Sequence, residues 1–124
     1  MKNSRNLKLG KLGESLAQKL LLNKGFKFIG KNFHSYFGEI DLIFQDKNDL
    51  VFVEVKTRIG REYGLPQEAI TGYKIRHLVK TSEYFQAKNP QFKVLSPRLD
   101  VVAIQFDETT EKLVYSEHFE NITM

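Results

Sequence analysis

Apolar residues return at three- and four-residue steps as Leu9, Leu12, Leu16 and Leu20, which places them on one face of a helix over residues 8–23 that Gly25 can close. Gly10 and Gly13 weaken its first turns. The period then shortens. Residues 26–33 alternate loosely through Phe26 and Phe28 and read as a first strand, an outer one given its lysines. Residues 39–44 and 50–57 are stronger strands, and the polar segment from Gln45 to Asp49 between them supplies hairpin chemistry. Residues 58–65, with Gly60 and Gly64, have no period and read as a loop. Pro66 opens a short helical turn at 67–70. Thr71 caps a longer helix in which Ile75, Leu78, Val79, Ser82 and Phe85 share a face, until Asn89 and Pro90 stop it. Pro97 precedes an apolar strand at 99–106, and beyond the polar turn 107–111 a last strand runs over 113–119. The order helix, three strands, helix, two strands predicts an α/β sandwich, one mixed central sheet flanked by helices.

Composition narrows the chemistry. With 124 residues and 41% apolar content the chain suits a single domain with one packed core. It has no cysteine, which excludes disulfides, zinc ribbons and thiolate nucleophiles and leaves oxygen or imidazole to hold any metal. No apolar stretch approaches the ~20 residues of a membrane span, and the N-terminus has no signal-peptide pattern, so a soluble, cytoplasmic protein with no membrane partner is expected. The net charge is +4, but residues 1–31 hold eight Lys or Arg, Lys8 and Lys11 among them, against the single acid Glu14. That excess could meet phosphates or could be a solvated helix face, and charge alone leaves both open.

The segment from Val51 to Arg58 reads as a strand buried on both faces, yet it carries Glu54 and Lys56. Ionised groups are costly to bury unless paired or bound to a metal. Strand alternation sends both charges to one side and Val51, Val53 and Val55 to the other. If the hairpin turns about Lys47 and Asn48, paired positions sum to 95. Asp41 then faces Glu54, and Ile40, Leu42 and Phe44 join the valines. Opposed residues have Cβ atoms about 4.5–5.5 Å apart, close enough for two carboxylates to bind one ion. Without cysteine or a neighbouring histidine this is a hard-oxygen site suited to Mg²⁺ or Mn²⁺. Such an ion polarises a phosphoryl oxygen while Lys56 holds the attacking water or offsets charge developing on the phosphate. The plainer reading is an Asp–Glu–Lys cluster on a solvated sheet face.

Other basic residues are candidates for phosphate contact. Arg58 and Arg61 follow the charged strand into a glycine-containing loop with Tyr63. Lys74 begins the second long helix with Arg76, His77 and Lys80 nearby, where a helix N-terminus suits an anion and a solvated face is the alternative. His34, His77 and His118 have no metal-ligand spacing and read as surface or core-edge residues. Asp100 follows Arg98 closely enough for an ion pair or a backbone cap, and no catalytic role is assigned to it.

The segments Gly38-Glu39-Ile40-Asp41-Leu42-Ile43 and Phe52-Val53-Glu54-Val55-Lys56-Thr57-Arg58 resemble the YraN family of small bacterial proteins, within the PD-(D/E)xK restriction-endonuclease-like superfamily. Archaeal Holliday-junction resolvases look like more distant relatives. The likeness extends to Gly13-Glu14 with Ala17, to Gly25, Asn32, Gly64, Ala69 and Lys74, and to the run from Arg98 to Val102. It implies a restriction-endonuclease-like core with Asp41, Glu54 and Lys56 in the acid, acid and lysine positions. It also implies that Glu14 is a helix-borne acid helping to hold the metal or its water. Ile40 stands where the superfamily has proline, and Leu99 where relatives often have Phe. The activity implied is metal-dependent hydrolysis of nucleic acid, DNA before RNA, with branched DNA suggested by the resolvase likeness and a homodimer natural for symmetric junctions. The alternatives are a non-catalytic nucleic-acid-binding module and a protein-partner adaptor.

Overall fold

At the hairpin turn Lys47 adopts a left-handed φ of 56° and Asp46 pairs with Asp49. Two residues therefore reverse the chain, as the polar run between two apolar segments predicts. The structure, a computed structural model, describes residues 4–60 and 64–122. Its elements are α1 (Ser4–Asn23), β1 (Lys27–Ser35), β2 (Gly38–Asp46), β3 (Asp49–Ile59), α2 (Gly72–Lys88), β4 (Ser96–Phe106) and β5 (Leu113–Phe119), with short 3₁₀ turns at Pro66–Ala69 and Pro90–Phe92. The strands lie in sequence order in one mixed sheet, with β3 and β4 parallel and the other neighbours antiparallel. β1 is an edge strand, as its lysines suggest.

The two helices cover opposite faces of the sheet. Leu9, Ala17 and Leu21 of α1 pack on Leu42, Phe44, Val51, Val53, Val102 and Ile104. Leu78 and Phe85 of α2 pack on Ile40, Ile43, Leu50 and Phe52. The central strand β3 thus buries successive residues on alternate sides, which is why it reads as a continuous apolar run. Local signals start α2 and end α1. The Thr71 hydroxyl accepts the Lys74 N–H at 3.2 Å. After α1, Gly25 takes a φ of 93° while the Phe26 N–H returns to the Leu21 carbonyl.

The structure corrects three expectations. The buried line of α1 is Leu9, Gly13, Ala17 and Leu21, with Leu16 and Leu20 on its flank and Leu12 41% exposed. Leucine spacing finds the apolar half of the helix but not its centre, because the sheet comes so close at mid-helix that small residues, Gly13 and Ala17, stand there between Leu9 and Leu21. A Cβ on Gly13 would overlap the Thr57 hydroxyl. Second, Ile40 packs with Ile43 on the α2 side and not with Leu42 and the valines. In β1, Asn32 lies between the pairs Lys31–Leu42 and Phe33–Ile40 and is left-handed, φ 53°, so the sheet kinks beside Asp41 and strict alternation fails there. Third, β3 continues through Arg58 to Ile59, both of which pair with β4, so the expected loop starts two residues later.

Candidate functional site

From the turn outward β2 and β3 are paired in the register that the hairpin predicts, Asp46–Asp49 through Leu42–Val53. The ladder ends there, while β3 runs on to Ile59 against β4 on its other side. Asp41 and Glu54 therefore do not form the expected rung. Instead Asp41 Oδ2 accepts the Val55 backbone N–H at 2.7 Å, because the parting of the strands removes the carbonyl that would otherwise take that donor.

The parting opens a cleft of about 640 Å³. Asp41 reaches it from β2, Glu54, Lys56 and Arg58 from β3, Glu14 from α1 and Lys74 from α2. All of β3 from Glu54 to Ile59 lines the cleft, because this stretch has lost its β2 neighbour, and Glu54, Lys56 and Arg58 share one face of it. Six of the sequence-selected residues, drawn from four elements, thus line one cavity.

Its electrostatics are those of acids held close together and away from water. Glu54, with a side chain only 7% exposed, has its pKa pushed up to about 7, by burial first and then by the charge of Asp41. Lys74, whose Nζ lies 3.4 Å from Glu54 Oε2, and Lys56 pull the other way. Asp41 is raised too. Burial is the main cause and Glu39 adds to it, against the Val55 N–H, Lys74 and a hydrogen bond shared with Glu54. Two desolvated carboxylates that hold protons this tightly form a donor set a dication would relieve, and with oxygen ligands alone the set fits Mg²⁺ or Mn²⁺.

Glu14 faces the pair from the α1 wall of the same cleft. It does not complete a tight trio with them: among the described residues, the His or acid side chains whose donor atoms all lie within 4.8 Å of one another are Asp100, His118 and Glu120. Of the basic candidates, Arg58 and Lys74 line the cleft. Lys8 instead pairs with Glu111 at 3.3 Å, and Lys11 and Arg76 are exposed outside the lining. Arg61 and Tyr63 lie outside the described residues. Arg5 and Glu39 are lining residues that the sequence reading did not select. One signal could have found this wall: Asn6, Gly10 and Glu14 recur at four-residue steps beside the Leu9–Gly13–Ala17 contact line. His118, expected at the surface or core edge, is a buried bridge, with Nε2 2.7 Å from Asp100 and Nδ1 2.9 Å from Lys24.

A pH dependence of stability follows from Glu54. Its folded pKa lies above the ordinary 4.5, so the folded chain binds this proton more tightly than the unfolded chain does. The resulting stabilisation is complete below about pH 4.5 and is lost as pH rises through about 7, on the order of 3 kcal/mol in all. Urea unfolding of wild type and Glu54→Gln at pH 5 and pH 8 should show wild type falling behind the variant by that order. Saturating Mn²⁺ at pH 8 should restore wild type and leave the variant unmoved. Parallel pH profiles for the two proteins would show that the carboxylate is not under this strain.

Fold and cleft together define an α/β protein with a mixed five-stranded sheet, two covering helices and a cavity of opposed charges where two strands part. The chain belongs to the Uncharacterised protein family UPF0102, the YraN-like group, whose model matches residues 13–104 and so spans Glu14, Asp41, Glu54, Lys56, Arg58 and Lys74. It is 38% identical over 121 residues to a UPF0102 protein of Caldanaerobacter subterraneus subsp. tengcongensis, covering 98% of each chain. A UPF0102 protein of Pelotomaculum thermopropionicum is 40% identical over 122 residues, again 98% of each. One from Acinetobacter baylyi is 37% identical over 109 residues, 88% of this chain and 78% of the relative. Among the described residues no helix is long and apolar enough to cross a membrane.

Proposed function

We propose that the protein is a metal-dependent nuclease, built on a restriction-endonuclease-like core of the PD-(D/E)xK type, that hydrolyses phosphodiester bonds of DNA, branched DNA in particular. The observation that carries this reading is the convergence of Asp41, Glu54 and Lys56 in one cleft, with both acids raised in pKa by burial first, Glu54 also by the charge of Asp41 and Asp41 also by that of Glu39. Asp41 and Glu54 would hold Mg²⁺ or Mn²⁺, with Glu14 supporting it from across the cleft. When bound, the ion supplies Lewis-acid polarisation of the phosphoryl oxygen and a more acidic water. The chain's own residues do the rest. Lys56 orients the attacking water and offsets negative charge building on the phosphate. Arg58 and Lys74 take phosphate oxygens on either side and fix the strand in the cleft. The Val55 N–H holds Asp41 in place, so its carboxylate spends no freedom on binding. The preference for branched DNA rests on the resolvase likeness of the motifs.

The test is incubation with duplex, single-stranded and four-way-junction DNA in Mg²⁺ and in Mn²⁺. Junction DNA is expected to be cut fastest, with no product in EDTA or from Asp41→Ala and Lys56→Ala. Absence of product from every substrate, or equal product from Asp41→Ala, would overturn the proposal. Salt-sensitive binding without product, indifferent to Asp41→Ala, would identify a non-catalytic binding module instead.

A further inference from the structure

Beside the cleft lies a second cavity, of about 300 Å³, between the β1–β2 turn and the first turns of α2. Phe37, Gly38 and Glu39 form one wall and Tyr73, Lys74 and His77 the other. Glu39 and Lys74 also line the larger cleft, so the two cavities share a partition. The large aromatic side chains exposed among the described residues all gather at this place: Tyr36 at 97%, Phe37 at 38% and Tyr73 at 65%. Tyr36 meets Phe37 edge to face at 5.6 Å, and Tyr73 lies against the His77 ring at 4.2 Å. The His77 Nδ1 is 3.1 Å from the Phe37 carbonyl, which ties the turn to the helix and keeps the two walls in register.

We propose that this cavity receives an unpaired nucleobase of the strand whose phosphodiester occupies the cleft, making the substrate class nucleic acid with an unstacked nucleotide beside the cut. The inference rests on the nuclease reading of the cleft and deepens it. Phe37 and Tyr73 line the cavity from opposite walls, and any base has a face to stack on an aromatic ring. Glu39 meets His34 Nδ1 through Oε2 at 2.9 Å and has a second carboxylate oxygen to accept a hydrogen bond from a base edge, and Lys74 and His77 stand where edge or backbone oxygens would come. Charge beside the cavity suits the phosphates of the same strand. From Lys74 through Lys80 the early turns of α2 carry Lys74, Arg76 and Lys80, and no acid appears before Glu83. A paired base is stacked on both faces and cannot enter, whereas an unpaired one pays little to leave the helix. Junctions, flaps and bulges supply such a nucleotide.

The experiment uses a duplex carrying one unpaired 2-aminopurine and the same duplex fully paired, titrated with the protein in EDTA by anisotropy and by 2-aminopurine fluorescence. Wild type should bind the unpaired duplex about tenfold more tightly and quench its fluorophore by stacking. Phe37→Ala combined with Tyr73→Ala should lose both the preference and the quench, yet bind the paired duplex as wild type does. Both side chains are exposed, so an unchanged urea midpoint will show that the fold is intact. Preference or quench surviving in the double variant, or missing from wild type, overturns the inference. If Mn²⁺ then still supports cleavage, the cleft reading stands without the pocket. Quenching with no cleavage of any DNA leaves the pocket and removes the nuclease, and wild type binding no DNA brings down both.

Discussion

Asp41→Asn is expected to slow DNA cleavage on the order of a thousandfold while raising the stability of the metal-free protein. The substitution is nearly isosteric, and the asparagine side-chain oxygen still accepts the Val55 N–H that Asp41 holds at 2.7 Å. Position and fold are therefore kept. What disappears is one negative charge buried away from water, and with it the Asp41 charge that raises Glu54 and the repulsion between Asp41 and Glu39. A group whose removal stabilises the chain while ending its activity is strained for function and not for folding. Lys56→Met should lose about a hundredfold or more by the same assay, since the role proposed for Lys56 is to offset the charge that develops in the transition state. Single-turnover rates on junction DNA in Mn²⁺, with urea midpoints in EDTA, decide the matter. An Asp41→Asn protein that cuts within threefold of wild type, or that unfolds more readily without metal, would mean that Asp41 holds the sheet together and does no chemistry.

Arg98→Ala should cost about 3–5 kcal/mol of folding stability, the largest loss expected from a surface-to-core ion pair in this chain. The half-buried guanidinium gives Nε and Nη2 to the two oxygens of Asp100, each at 3.0 Å, and Nη1 to Asp46 at 3.1 Å and Asp49 at 3.0 Å. One cation thus ties β4 to both ends of the β2–β3 turn. It also lies over the Phe26 ring, 5.5 Å from its centre. The Asp100 side chain is fully buried. Burial alone would raise it, but hydrogen bonds from His118 and Arg98 and the Asn121 N–H hold it below the usual range. Without Arg98 a buried carboxylate would lose its two-pronged partner, and Arg98→Lys should recover less than half of the loss because an ammonium cannot span both oxygens. Since the folded pKa of Asp100 lies below the ordinary 3.8, its contribution is present above that value and is lost as pH falls beneath it. Urea unfolding at pH 7 and at pH 3 tests both points: the gap between wild type and Arg98→Ala should narrow in acid. A loss under 1 kcal/mol at pH 7 would show the network to be replaceable.

Much of this architecture could be read before any coordinates. Hairpin register is local, a matter of two turn residues and the two-residue period of a strand, so the pairing from Asp46–Asp49 to Leu42–Val53 followed from counting. The same counting placed Glu54 and Lys56 on one side of β3, although Arg58 read as loop, and apolar periodicity located both helices. The pairing of Arg98 with Asp100 was also within reach, because two residues apart on a strand lie on one face.

Sequence alone thus determined the elements, the pairing of β2 with β3 next to their turn and the identity of the charged residues worth watching, all of which depend on neighbours near in the chain. Only the tertiary structure decided where β2 leaves β3, and with it why Asp41 bonds to Val55 and not to a facing rung. It also decided that α1 meets the sheet through Gly13, that Ile40 turns to the α2 side, and that Arg98 gathers Asp46 and Asp49 as well as Asp100. Those outcomes depend on how closely helix and sheet approach and on a kink at Asn32 in an adjacent strand. Such distances are set by the packing of the whole core and leave no periodic trace in the order of residues.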